Sequence, residues 1–160
     1  MKIIAGMGEF FRKSRIVFVT TFSEKGEEHS RAMTNFNEDP YSMMWFPTYT
    51  NTRKVDDIRK NPKVLILFPT QEEEEYYEIE GKGELADEVE VNEKWKWWYL
   101  YWRPEIEDKF WFPSNGIHPE RSLIHVSPIE AKLIKGVKFE RLVDELPHEY
   151  RHYLKIISKR

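Results

Sequence analysis

The chain of 160 residues contains no cysteine, which excludes disulfides, thiolate metal sites and cysteine nucleophiles. It also lacks a long apolar run: nothing approaches the about 18 uninterrupted apolar residues of a membrane-crossing helix. The opening "MKIIAGMGEFFRKSRIVFV" carries charges inside its apolar part, unlike a secretion signal. The expectation is a soluble, cytoplasmic protein with no membrane partner. Excess positive charge is missing as well. With 25 Lys and Arg against 28 Asp and Glu, the net charge is −3 and the sequence pI about 6.0. That balance argues against a phosphate-backbone binder, so no nucleic-acid partner is expected. Glycine is scarce, at seven residues, and together with the 33% charged content and absent cysteine this resembles a thermophile's composition.

Aromatic residues are abundant. Six Trp, eight Tyr and ten Phe make up 15% of the chain, more than a small core needs, and point to a flat ligand or a large subunit interface. The length fits one domain, residues 1–160, able to bury roughly two-thirds of the surface of its unfolded form.

Periodicity predicts the elements. Residues 4–13 place Ile4, Met7, Phe10 and Phe11 on one face of a short helix. "RIVFVTTF" (15–22) reads as a strand buried on both faces. "HSRAMTNF" (29–36) and "YSMMWFPT" (41–48) read as hairpin partners, giving a three-strand meander. A helix over 50–60 sets Val55 and Ile58 inward with Lys54, Asp57 and Lys60 outward, and Asn61-Pro62 ends it. "KVLILF" (63–68) is a central strand. The stretch 72–85 alternates, with Tyr77, Ile79 and Leu85 on one face and Gly81 and Gly83 permitting close approach of another backbone. A helix over 91–102 aligns Trp95, Trp98, Tyr99 and Trp102; 122–134 is the last strand, and 147–158 a C-terminal helix. The expected architecture is a mainly β fold, a small antiparallel barrel with helical plugs.

Four segments carry a resemblance: "SRAM", "WFPTYTNTRKVDDIRKNPKVLILFP", "IEGKGEL" and "KFWFPSNGIHPERSLIHVSPIEAKLI". In order and spacing, over about residues 15–134, the chain resembles the pyridoxamine 5'-phosphate oxidase-like FMN-binding split barrels, and among them the general stress protein branch. The resemblance implies a six-stranded antiparallel split barrel, a homodimer with FMN between subunits, and FMN-dependent oxidoreductase chemistry. Carried over residue by residue, Thr52, Arg53 and Lys54 grip the FMN phosphate; Pro47 and Thr48 lie along the flavin, with Thr48 in contact with it. Arg31 begins the second-strand flavin motif, followed by Ala32, Met33 and Thr34. Tyr76 stands where many members have a ring-side Gln, and Trp111 and Phe112 are candidates to stack beside the partner subunit's ring. Phe36 replaces the Lys of true pyridoxamine phosphate oxidases, and their C-terminal substrate motif is missing, which argues against pyridoxine 5'-phosphate as substrate. A non-catalytic flavin store or redox sensor, or a barrel holding a deazaflavin or heme, are the alternatives.

The residues themselves fit the phosphate role, because a helix start presents unpaired amides and a partial positive charge. An ordinary solvated helix start would carry the same charges, and the Trp stripe reads first as core. Glu72 to Glu75 read as a solvated hairpin, since four adjacent carboxylates cannot converge on one ion in an extended chain. "HEYRH" (148–152) matches H-E-x-x-H, but only eight residues follow it, leaving no source for a third zinc ligand, so no metal is expected. His29, His118 and His125 have no ligand spacing and read as structural or exposed.

Overall fold

The computed structural model describes residues 1–72, 74–102 and 119–136. Trp111, Phe112, His118, the "HEYRH" segment and the expected helix over 147–158 lie outside the described residues.

Among the described residues, six strands form one antiparallel sheet in the order β2-β1-β4-β5-β6-β3. They are β1 (Ile16–Phe22), β2 (Glu28–Thr34), β3 (Met44–Tyr49), β4 (Lys63–Pro69), β5 (Glu75–Leu85) and β6 (Arg121–Lys135). Helices α1 (Met7–Lys13), α2 (Arg53–Lys60) and α3 (Glu88–Trp102) pack on it. The curled sheet is the expected split barrel, and among the described residues no further strand pairs with β2 or β3, its two edges.

The expected meander is not formed. β2 pairs with β1, Thr34 opposite Ile16, whereas β3 pairs with β6, Met44 opposite Val126. Local alternation identifies a strand but does not name its neighbour, and here the neighbour lies far along the chain.

The core explains the element choices. β1 is buried at every position, as its unbroken run of β-branched and aromatic residues requires. Met7 and Phe11 of α1 are fully buried beside Phe46, Ile66, Phe68 and Ile79; Phe11 and Phe68 rings lie 5.1 Å apart. Each such side chain contributes about 1.5–3 kcal/mol through its removal from water. Helix α2 packs against β1 and β5, and Gly83 of β5 leaves room for it: a Cβ there would stand 3.4 Å from Ile58 of the helix and 2.7 Å from Val64 of the neighbouring β4. Helix α3 is fixed by Trp95, 1% exposed, whose indole donates to the Ser122 carbonyl at 2.9 Å.

Candidate functional site

The two open edges face a cleft. Ala32, Met33 and Thr34 of β2 line one wall and Pro47, Thr48 and Tyr49 of β3 the other, with Phe36, Lys54 and Trp95 between them and a volume of about 150 Å³.

Ladder parity gives the direction of the backbone groups. Asn35 donates its amide to Arg15 across the β1 side, and Thr50 donates to Glu120 across the β6 side. Bonding direction alternates along an antiparallel strand, so Ala32 and Thr34, and opposite them Pro47 and Tyr49, turn their backbone polar groups into the split. Pro47 has no N–H and offers only its carbonyl. One end of this edge is closed: the Asn37 side chain accepts from the Trp45 amide at 2.9 Å and donates to the Trp45 carbonyl at 3.0 Å, standing in for a neighbouring strand.

The walls are aromatic. Phe36 stacks on Trp45 at 5.2 Å and 9°, the Lys94 ammonium lies 4.8 Å over Trp45, and Tyr49 meets Trp95 edge-on at 5.2 Å. Phe36 thus supplies a flat apolar surface in place of a cation. Thr48 is 5% exposed, and its hydroxyl has no hydrogen-bond partner among the described residues. A buried orphan hydroxyl costs about 1–3 kcal/mol, so one on a cleft wall marks a place for a ligand's polar atom.

Cations gather at the start of α2. Thr52 is its N-cap in extended conformation, but the hydroxyl makes no cap and donates instead to the Tyr49 carbonyl at 2.9 Å. The first-turn amides therefore keep their anion-binding capacity. Lys54, half-buried, lines the cleft; burial and then the Arg31 charge pull its ammonium below the ordinary lysine value. Arg31, on the inward face of β2, is lowered by burial and by Arg53, with Asp57 opposing. Arg31 thus lies within electrostatic reach of both Lys54 and Arg53.

Of the residues singled out from the sequence, Ala32, Met33, Thr34, Pro47, Thr48 and Lys54 share the cleft, and Arg31, Thr52 and Arg53 stand around the α2 start. Tyr76 does not join them: it sits on β5 opposite Pro69 and Ile134, 8% exposed, outside the cleft lining.

Asp57, expected to face outward, is 5% exposed, because Thr21 donates to its Oδ2 at 2.7 Å and His29 Nδ1 lies 2.8 Å from the same oxygen. The signal was Thr21 itself, since a hydroxyl in a strand buried on both faces needs a partner. His125 is likewise engaged, its Nε2 2.7 Å from Glu90. Among the described residues no group of His, Asp and Glu could hold a metal ion, and no helix is long and apolar enough to cross a membrane.

No curated protein matches the chain. Among solved structures, it is similar to a protein related to general stress protein 26 from Clostridium acetobutylicum, with 21% identity and a TM-score of 0.58, over 84% of this chain and 92% of that one. It is similar to a pyridoxamine 5'-phosphate oxidase-related, FMN binding protein from Nostoc punctiforme (15%, TM-score 0.53, 84% and 87%) and to an F420 reductase (18%, TM-score 0.58, 81% and 98%). The family model described as pyridoxamine 5'-phosphate oxidase matches residues 5–135. That span takes in all six strands, both edges of the split and the cations at α2, and the chain belongs to the pyridoxamine 5'-phosphate oxidase family.

Proposed function

We propose that the chain binds FMN in the split between β2 and β3, in a homodimer whose second copy completes each site, and that it acts as an FMN-dependent oxidoreductase. The convergence of Arg31, Arg53 and Lys54 on an uncapped helix start, at the rim of an aromatic-walled cleft, carries this reading. Arg31, Arg53, Lys54 and the first-turn amides hold the phosphate. Thr48 and the open backbone groups of Ala32, Thr34 and Pro47 supply donors and acceptors to the polar edge of the ring, while Phe36, Pro47 and Trp95 exclude water. Bound FMN supplies the hydride or electron transfer.

The cleft of about 150 Å³ is below the roughly 300–1,000 Å³ typical of pockets that enclose a ligand, which supports a second subunit as the missing wall. Phe36 stacked on Trp45 leaves an apolar surface in the substrate region, which supports an acceptor other than pyridoxine 5'-phosphate.

The visible spectrum of the purified protein, followed by fluorescence titration with FMN, tests the cofactor; a flavin spectrum and submicromolar binding are expected. A deazaflavin or heme spectrum, with no FMN uptake, would refute it. NAD(P)H oxidation with an added electron acceptor separates an oxidoreductase from a flavin carrier.

A further inference from the structure

Beneath the cations lies a second layer of polar groups. Arg31 Nη1 donates to Thr21 Oγ1 at 2.7 Å and to the Val19 carbonyl at 3.2 Å. Thr21 is fully buried, and its single hydroxyl proton goes to Asp57 Oδ2, so toward Arg31 it is an acceptor. Ionised Asp57 accepts only, which makes His29 the donor and puts a proton on its Nδ1. The order is therefore fixed: Arg31 to Thr21 to Asp57, with His29 donating to the same carboxylate oxygen.

Burial alone would raise the Asp57 carboxyl, but hydrogen bonds from His29 and Thr21, with the charges of His29 and Arg31, outweigh it and hold the group below the ordinary carboxylate range. Asp57 also belongs to α2, one turn beyond Arg53 and three residues beyond Lys54. One carboxylate thus ties the rotation of the helix that carries two cations to the orientation of the third.

We propose that Thr21, Asp57 and His29 form a positioning relay that holds Arg31 and the α2 start in the phosphate-binding arrangement. It rests on the phosphate-site reading above. A carboxylate acting by charge alone would compete with phosphate for the cations and weaken binding. A positioning carboxylate strengthens it, so the two roles differ in sign.

The test titrates FMN and riboflavin against wild type, Thr21→Val, Thr21→Ser and Asp57→Asn, with thermal melting to confirm folding. Val keeps the shape of Thr and removes the hydroxyl, while Ser keeps the hydroxyl. Thr21→Val should lose about tenfold in FMN affinity with riboflavin changed by less than about twofold, and Thr21→Ser should bind as wild type. Folded Asp57→Asn should also weaken FMN, although a negative charge has been removed. An unchanged FMN-to-riboflavin ratio in Thr21→Val, or tighter FMN binding in Asp57→Asn, overturns the relay alone. Wild type that binds FMN no better than riboflavin overturns the phosphate reading and the relay with it.

Discussion

Replacing Lys54 with Met keeps a long unbranched side chain, removes the ammonium, and should move two observables in opposite directions. The flavin-free protein holds this ammonium half-buried, at the cost of lost hydration and repulsion from Arg31. Lys54→Met relieves both, so the flavin-free protein should melt higher, by about 2–4 °C for each 1 kcal/mol recovered in a chain of this size. FMN binding loses a charge-assisted contact worth about 1.5–3 kcal/mol, so its affinity should fall about 10- to 150-fold. Riboflavin has the same ring and ribityl chain without the phosphate, and its binding should change by less than about twofold. Fluorescence titration with both flavins and calorimetric melting in phosphate-free buffer measure the two effects. A lower melting temperature, with equal weakening of FMN and riboflavin, would make Lys54 a structural residue and refute the reasoning.

Thr48→Val should stabilise the flavin-free protein by about 1 kcal/mol in denaturant unfolding, by removing an unpaired buried hydroxyl, and weaken FMN and riboflavin alike; unchanged flavin binding would take that hydroxyl out of the site. The depressed Asp57 carboxyl contributes stability that is present above the ordinary unfolded-state value and lost as pH falls through its lower folded value. The stability gap between wild type and Asp57→Asn should therefore shrink as solutions are acidified below about pH 4, and a constant gap in pH-dependent melting would contradict the assignment. Sedimentation at micromolar concentration should show a dimer with bound flavin; a flavin-loaded monomer would mean that the cleft is complete without a second copy.

The strands were legible where burial is written into composition. "RIVFVTTF" and "KVLILF" have no polar face to spare, and the alternation of Tyr77, Ile79, Gly81 and Gly83 fixes the inward side of β5. The end of α2 followed from Pro62. Pairing was harder, because β3 meets β6 across more than 70 residues of chain and no local pattern encodes such a meeting. In the candidate site the individual cations could be named from the sequence, but their convergence could not. Asp57 was misplaced because it shares a helical face with Lys54 and Lys60, three residues to either side; only the hydroxyl on the facing strand revealed that a carboxylate could be buried there.

A sheet that does not close has two raw edges, and such edges commonly recruit strands from other chains, the first step toward aggregation. Here β3 is defended by two local devices. Pro47 interrupts the row of donors, and the Asn37 amide occupies both polar groups of Trp45. An incoming polypeptide needs a continuous ladder and finds it broken. A small molecule needs only one or two contacts and finds them in place. If the split holds the proposed flavin, the features that protect this edge from a pairing strand are also a filter on what can enter, open to a compact ligand and closed to a continuous strand.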